Sequence, residues 1–269
     1  MKLTVVTINF NNLRGLRKTI FSVINQSYKE FEWIIIDGGS TDGSIELIQE
    51  NSSHISYWVS EPDNGIYHAM NKGICHAHGE WLLFLNSGDW IYNSETLSTV
   101  FANESPTADI MYGDKIQWTP DSSFRHTFPD ELGLDYLVRY SICHQACFFK
   151  RELFANERYD ENYKIASDWA LDIKFMLQGK RFEHIPYPIV YYDNTGISAQ
   201  GTMLQSQERE DVLDRYIPYN IRFDLARFDE IQHLYNGKLC SFLTHCSFTL
   251  INKLSNLRDA INKKKSKHN

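Results

Sequence analysis

The stretch WLLFLNSGD, residues 81–89, decides the fold expected of this chain, because five apolar residues run directly into a polar segment that ends in a carboxylate. An apolar run of this length, followed by turn-forming residues, is typical of a strand covered on both faces of its sheet. A carboxylate at the end of such a strand is costly unless it is paired or bound to a metal ion. The stretch therefore predicts a buried strand that carries Asp89 to a functional edge of the sheet, with a simple turn as the alternative.

The residues before this strand alternate between apolar runs and helical patterns. The predicted strands are 3–8, 31–36, 55–61 and 80–89, and the predicted helices are 11–27, 44–52 and 65–79, the last ending at Gly79. Alternation of this kind predicts an α/β fold, with a Rossmann-like, mostly parallel central sheet and helices on both of its faces.

Polar residues follow each predicted strand of this first half. Because the carboxyl ends of parallel strands gather at one edge of a sheet, ligands are expected to bind there. The polar groups at this edge are Asn9 and Asn11, then 37–40, then 61–64, then 86–89.

The second half of the chain is less regular. A helix over 167–180 is expected to be capped by Ser167 or Asp168 and to end at Gly179. The other predicted elements are a strand or hairpin at 108–118, a buried strand turning into a helix at 142–154, and a strand at 181–193 whose two prolines suggest a sheet edge.

The charge of the chain is unevenly distributed. The net charge is -7 over 269 residues, but the residues from Lys238 onward hold seven Lys or Arg and one Asp, so this end carries +6 and the rest -13. An acidic body argues against a nucleic-acid-binding protein, whose positive charge should lie on the folded domain. A basic end fits contact with an anionic surface.

The cysteines and the apolar runs bear on where the protein works. Five cysteines, an odd number in a chain of this size, suggest reduced thiols and a cytoplasmic protein. Cys143 and Cys147 match no zinc-binding spacing and are interpreted as small buried side chains. No run approaches the roughly 20 apolar residues that span a bilayer.

Apolar residues recur at helical spacing between Leu239 and Ile261. We expect a helical extension over 201–262 and a basic, disordered tail over 263–269. The apolar stripe has two interpretations: it packs on the main domain or on a second copy of the chain as a homodimer, or it lies on the inner face of the cell membrane with its lysines at the headgroups.

Several carboxylates are candidates for chemistry. DGGSTDG, residues 37–43, lacks the G-x-G-x-x-G spacing of a dinucleotide site, so Asp37 either accepts a hydrogen bond from a base or sugar or caps the next helix. Asp89 beside Asn86 and Ser87 offers hard oxygen ligands suited to Mg²⁺ or Mn²⁺. Asp168 is either a helix cap or a general base.

Taken in order, five motifs resemble those of family 2 glycosyltransferases of the GT-A fold, above all the non-processive bacterial enzymes of surface polysaccharide biosynthesis. The motifs are VVTINFNN, IIIDGGSTDGS, SEPDNGIYHAMNKGI, LLFLNSGD and HQACFFKRELF…YDENYKIASDWAL. The resemblance covers residues 1–200 and implies a nucleotide-donor half, 1–100, and an acceptor half, 101–200. It implies inverting transfer of a sugar from a nucleotide diphosphate to a hydroxyl of a glycan or lipid-linked acceptor.

The resemblance also implies roles for single residues. Asp168 corresponds to the catalytic base, and Asp89 to the last acidic residue of the D-x-D motif, which would hold Mn²⁺ or Mg²⁺. Asp37 would contact the nucleobase and Asp63 would lie in the donor pocket. The other implied residues are Thr7, Phe10 and Asn86 on the donor side and His144, Gln145 and Trp169 on the acceptor side.

The chain departs from this pattern at the metal motif. Asn86 and Gly88 stand where members of that family often have aspartates, which leaves one acidic ligand and predicts modest metal affinity. A nucleotide-sugar binding or scaffolding subunit without catalysis is therefore the alternative function. A Rossmann-type oxidoreductase is a third and weaker interpretation.

Overall fold

The structure, a computed structural model, describes residues 2–102, 107–194, 203–225 and 227. The chain divides into two compact units, Met1–Tyr216 and Ile217–Asn269. Within the described part of the first unit, the strands are β1 Leu3–Asn9, β2 Phe31–Asp37, β3 Tyr57–Ser60, β4 Trp81–Phe84, β5 Trp90–Ile91, β6 Ile110–Trp118, β7 Ser123–His126, β8 Cys147–Lys150 and β9 Phe182–Asp193.

Seven α-helices are found in that same described part, together with three short 3₁₀ helices. The α-helices are α1 Leu13–Ile24, α2 Ser44–Glu50, α3 Ile66–His76, α4 Thr96–Val100, α5 Leu134–Leu137, α6 Ser167–Leu177 and α7 Met203–Tyr216. The 3₁₀ helices are Ser52–His54, His144–Ala146 and Arg151–Ala155.

One sheet organises the unit, in the order β3-β2-β1-β4-β8-β6-β9-β5, with β7 paired to β6. Strands β1 to β4 are parallel to one another, and β8 is antiparallel to both β4 and β6. Strands β6 and β9, which are parallel to each other, therefore run in the same direction as the first four. The predicted α/β fold with a mostly parallel sheet is confirmed.

The core lies on both faces of the first strands. Every residue of β1 and β4 is buried, as their unbroken apolar runs predicted. Helix α1 covers one face with Leu16, Ile20 and Val23, and the side chain of Asn12 caps it by accepting the N–H of Gly15 at 3.1 Å. This packing fixes the carboxyl ends of β1, β2 and β4 at one edge.

Helix α3 ends at His76, three residues before the predicted end at Gly79. The reason is that Gly79 packs against β1, where an added Cβ would lie 2.5 Å from the backbone nitrogen of Thr4. The carboxylate of Glu32 accepts the N–H groups of His78 and Gly79 and holds the chain in this turn.

The second half also differs from expectation in two elements. Neither Ser167 nor Asp168 caps α6, because Ala166 occupies the cap position and makes no side-chain bond there. Strand β9 was predicted to lie at the edge of the sheet, but it lies between β6 and β5. Strand β5 is short and pairs only with Val190 and Tyr191. Its prolines lie where the register with β6 shifts.

Helix α7 belongs to the first compact unit, where it packs against α6. The predicted apolar stripe from Leu239 to Ile261 and the predicted basic tail over 263–269 lie outside the described residues. In the part of the chain that the structure describes, no helix is long and apolar enough to cross a membrane.

Candidate active site

Asp168 lies at the start of α6, and two side chains from other elements hold its carboxylate. Nδ1 of His144 is 2.9 Å from Oδ2, and the hydroxyl of Tyr67 donates to Oδ1 at 2.8 Å. Burial raises the pKa of Asp168, but His144 and Tyr67 outweigh that effect and leave the pKa below its ordinary value. Because the side chain keeps 20% of its surface exposed, an ionised carboxylate is available at the sheet edge.

Helix α7 fixes the backbone that leads into α6. The buried carboxylate of Glu208 accepts three consecutive N–H groups, from Lys164 at 2.7 Å, Ile165 at 2.9 Å and Ala166 at 3.0 Å. These residues directly precede the helix that carries Asp168. Glu208 therefore holds the backbone at the start of α6, a role that was predicted for a cap by Ser167 or Asp168.

Trp169, the residue after Asp168, is buried. Its indole N–H donates to the carbonyls of Leu137 and Tyr140, and only 2% of the residue is exposed. The guanidinium of Arg209 lies 3.9 Å from the centre of its ring. Two carbonyls and Arg209 contact this side chain, and the implied acceptor contact of Trp169 stays a prediction.

Asp89 is buried, and both of its carboxylate oxygens accept bonds from the protein. The side chain of Gln145 donates to Oδ2 at 3.0 Å and the backbone N–H of Asp193 donates to Oδ1 at 2.8 Å. Burial raises the pKa of Asp89 to about 7, although these bonds and the charge of His144 oppose the rise. Asp89 thus joins the end of β9 to the turn that contains His144.

This arrangement does not fit the predicted role of Asp89 as a metal ligand. A ligand must present oxygen atoms toward the ion, whereas only 5% of Asp89 is exposed and its oxygens are bonded to protein donors. Within the described ranges, no three His, Cys, Asp or Glu side chains are grouped as a metal site. We derive no step of the reaction through a metal ion held by Asp89.

The turn His144–Ala146 brings the predicted residues from the two halves together. His144 contacts Asp168, and the next residue, Gln145, contacts Asp89. Asn86 completes the connection, with Nδ2 3.3 Å from Nε2 of His144. Its Oδ1 is buried and has no hydrogen-bond partner among the described residues, and a contact of Asn86 with a donor stays a prediction.

A contact with the nucleobase stays a prediction for Asp37, which lies at the end of β2. It is fully buried, and its oxygens accept bonds from the backbone of Gly39 and Ser40 and from the side chains of Asn9, Ser40 and Ser60. Burial raises its pKa, but these bonds hold the pKa below the ordinary value. The alternative prediction, that Asp37 caps the next helix, is wrong, because the cap residue of α2 is Gly43.

Thr7 is also enclosed, since it lies inside β1 and accepts the indole N–H of Trp33 at 3.1 Å. The strand is buried on both faces, and a contact of Thr7 with a donor stays a prediction. Phe10, three residues later, is 62% exposed, and Asp63 lies near it at the end of β3. Of the predicted donor residues, Phe10 is exposed and Asp63 and Asn86 are partly exposed, and their contacts with a donor stay predictions.

An open cleft of about 510 Å³ adjoins this edge at the start of α1. Its lining includes two arginines, Arg14 and Arg17, and four other residues, Asn11, Asn12, Leu13 and Asp42.

Sequence inspection missed Tyr67, Glu208 and Arg209. Tyr67 had a usable signal, since it lies in the first turn of a helix that follows a strand of the parallel sheet. Glu208 and Arg209 had none, because their contacts join segments about 40 residues or more apart.

The sequence matches known proteins over more than half of the chain. Residues 4–156 match the family described as Glycosyl transferase family 2. A PGL/p-HBAD biosynthesis glycosyltransferase of Mycobacterium tuberculosis is 34% identical over 178 residues, which cover 64% of this chain and 68% of that protein.

Solved structures show the same fold. Staphylococcus aureus TarS 1–349 in complex with UDP-GlcNAc superposes with a TM-score of 0.66 at 19% identity, over 79% of this chain and 64% of that one. The mannosyltransferase PcManGT of Pyrobaculum calidifontis, in complex with GDP-Man and Mn²⁺, gives a TM-score of 0.58 at 16% identity, over 93% of this chain and 80% of that one. The sheet is that of the GT-A fold, and the chain belongs to glycosyl transferase family 2.

Proposed function

We propose that this glycosyltransferase moves a sugar from a nucleotide diphosphate to a hydroxyl of a glycan or lipid-linked acceptor, with inversion at the anomeric carbon. The observation that carries the proposal is the partly exposed carboxylate of Asp168, held by His144 and Tyr67 at the sheet edge where ligands of such folds bind. The complexes of the two structural neighbours with UDP-GlcNAc and GDP-Man support a nucleotide-sugar donor.

The proposed reaction is a single displacement. The acceptor hydroxyl hydrogen-bonds to Asp168, its oxygen attacks the anomeric carbon, and the bond from that carbon to the diphosphate breaks on the opposite face. The acceptor proton passes to Asp168, and the negative charge leaves with the nucleoside diphosphate. Because attack and departure occur on opposite faces, the anomeric configuration inverts.

The contacts of Asp168 suit this role. Tyr67 and His144 fix the two oxygens in position, and each oxygen keeps a lone pair for the acceptor hydroxyl. The lowered pKa keeps the group ionised at neutral pH, so it is ready to accept a hydrogen bond before transfer begins. A hydrogen bond to Asp168 would also hold the acceptor oxygen in line with the anomeric carbon, and this orientation lowers the activation barrier of transfer.

A divalent cation, Mn²⁺ or Mg²⁺, stays a prediction for this chain. Such ions commonly keep several waters and bind through one or two carboxylates together with phosphate oxygens. Since the oxygens of Asp89 are bonded within the protein, we propose that an ion accompanying the donor is held mainly by the diphosphate and water.

The acceptor class rests on the relatives. The name of the mycobacterial relative places that protein in PGL/p-HBAD biosynthesis, which supports surface glycan or glycolipid assembly for this chain as well. A position at the inner face of the membrane, contact through the C-terminal helix and formation of a homodimer remain predictions.

The test is the variant Asp168→Asn, with Asp121→Asn as a matched control. Asp121 lies in the exposed turn after β6, so the control makes the same chemical change away from the site. We expect Asp168→Asn to lower the transfer rate by about 10²- to 10⁴-fold, with donor affinity within a factor of about two of the parent. NMR of the product should show the inverted anomer.

Unchanged transfer in Asp168→Asn, or a product with retained configuration, would refute the proposed mechanism. Donor binding without any transfer in the parent chain would instead support the binding-subunit alternative.

A further inference from the structure

The amide of Asn86 lies against the histidine that holds the proposed base. We propose that Asn86 is a positioning residue, which fixes neutral His144 in the form that carries its proton on Nδ1 and so keeps an uncharged donor beside Asp168. This inference rests on the proposed function, since it assumes that Asp168 is the base. It also gives a role to the asparagine by which this chain departs from an acidic metal motif.

The contacts on the two sides of the His144 ring agree on this form. An ionised carboxylate has only lone pairs, so Nδ1, which lies 2.9 Å from Oδ2 of Asp168, must carry a hydrogen. The amide nitrogen of Asn86, 3.3 Å from Nε2, has only hydrogens to donate, so Nε2 must present its lone pair. Both neighbours therefore select the same tautomer of the neutral ring.

The ring is enclosed enough for these neighbours to decide its form. Only 11% of the His144 side chain is exposed, so little of the ring reaches water. Its backbone lies in the short helix His144–Ala146, and the next side chain, that of Gln145, is fixed by its bond to Asp89. The ring is thus held between Asn86 on one side and Asp168 on the other.

An aspartate at position 86, which family members often have, would act differently. Its carboxylate would accept a hydrogen from Nε2 and stabilise a ring that is protonated at both nitrogens and positively charged. Asp168 would then face a cation, which makes a carboxylate a weaker base. With Asn86, a hydrogen on Nε2 meets an amide donor, so the neutral ring is favoured and Asp168 keeps more of its basicity.

His144 can still take up a second proton as the pH falls, and its charge then acts on Asp89 and Asp168. For this the amide of Asn86 must turn, so that its Oδ1 accepts the new hydrogen on Nε2. That oxygen is buried and has no other partner among the described residues. Asn86 therefore makes the charged ring dependent on a rotation of its own side chain.

The other charged groups around this turn stay in place when residue 86 is changed. They are Asp168 on α6, Asp89 after β4, Asp193 at the end of β9, whose charge acts on Asp89, and Lys115 on β6, whose charge acts on Cys143. A change in the titration of His144 can therefore be assigned to position 86.

The first test observes the ring by nitrogen-15 NMR of the full chain, because protonated and bare ring nitrogens have well-separated shifts. The signals of His144 are identified by their loss in His144→Asn. At the alkaline end of a pH titration, where the ring is neutral, we expect Nδ1 to carry the hydrogen and Nε2 to be bare. A histidine in water favours the opposite tautomer, so this pattern would come from contacts within the protein.

The variant Asn86→Asp tests the role of the amide. We expect the titration midpoint of His144 to rise by about 1 to 3 pH units, because a negative charge then faces Nε2. At saturating substrates, kcat should fall about 3- to 10-fold near neutral pH, because Asp168 becomes a weaker base. The acid limit of the pH–rate profile should move to lower pH, since a cation lowers the pKa of Asp168.

Asn11→Asp is the matched control for the NMR titration. It adds the same charge at the same edge of the sheet, and its Oδ1 can still accept the N–H of Thr41. We expect the position of the His144 proton and the titration midpoint to match those of the parent chain.

A double variant shows whether position 86 acts through the ring. In His144→Asn, an amide nitrogen can replace the Nδ1 donor, but nothing replaces Nε2. Adding Asn86→Asp to His144→Asn should therefore change kcat by less than about twofold, whereas the same change in the parent chain should have its full effect.

Three results would overturn the proposal. They are a neutral His144 with its hydrogen on Nε2, a midpoint in Asn86→Asp no higher than in Asn11→Asp, and a rate in Asn86→Asp that Mn²⁺ raises above that of the parent chain. The last result would assign position 86 to metal binding. Absence of transfer in the parent chain would overturn the proposed function, while the NMR titration would still decide the form of His144.

Discussion

Replacement of Glu208 by alanine tests whether α7 stabilises the start of α6 and thereby positions Asp168. The change removes a buried carboxylate that accepts three backbone N–H groups at 2.7, 2.9 and 3.0 Å. A hydrogen bond to a charged group contributes about 1.5 to 3 kcal/mol, but the three losses do not add, since water can reach the partly buried N–H groups of Lys164 and Ile165. We therefore expect a loss of about 3 kcal/mol in the free energy of unfolding.

The assay is thermal unfolding together with transfer kinetics. For a unit of this size, about 3 kcal/mol corresponds to a fall of roughly 6 to 12 °C in Tm. Gln207→Ala is the control, because Gln207 is the exposed neighbour on the same helix. Below the new Tm, the transfer rate should fall more than donor affinity, since the released backbone leads to Asp168. A change in Tm as small as that of the control would refute the role assigned to Glu208.

Two further predictions concern titration. In Tyr67→Phe, loss of one bond that holds the pKa of Asp168 low should move the acid limit of transfer to higher pH, which a pH–rate profile would detect, while Tyr140→Phe at an exposed position should not. Burial raises the pKa of Asp89 to about 7, so the folded state binds a proton there that the unfolded chain releases near pH 4. The stabilisation from this proton is complete below pH about 4 and is lost as the pH rises to about 7. Asp89→Asn cannot titrate, so the free energy of unfolding should depend less on pH between these limits. The same variant should leave the effect of Mn²⁺ on UDP affinity unchanged, and a loss of that effect would restore Asp89 as a ligand.

The sequence predicted the fold well because its signals are local. Unbroken apolar runs such as 81–85 are incompatible with an exposed strand, and alternation with helices requires parallel crossovers. The same logic correctly predicted that polar groups follow successive strands at one edge. It failed at the end of α3, where the close packing of Gly79 on β1 depends on a neighbouring strand.

Side-chain roles were harder to predict because a motif does not show which lone pairs the protein itself uses. Asp37 and Asp89 were placed at the correct edge of the sheet, but the predicted ligands were assigned to oxygens that bond within the protein. The role of Glu208 was not predicted, because the sequence of a polar helix does not show that one of its glutamates binds the backbone of residues 164–166.

We propose that the exposure of each carboxylate, together with the protein donors around it, separates the structural acids of this site from the acids that bind ligands. Asp37 has five donors and no exposed surface, and Asp89 has two donors and 5% exposure, so both stabilise the ends of strands. Asp168 accepts from two side chains and from the backbone N–H of Trp169, but its exposed surface leaves room for a hydroxyl, and Asp63 keeps one oxygen without a described partner. The acids with an oxygen open to a ligand are therefore Asp168 on α6 and Asp63 in the loop before α3. The two buried acids, Asp37 and Asp89, bind the backbone at the ends of β2 and β9.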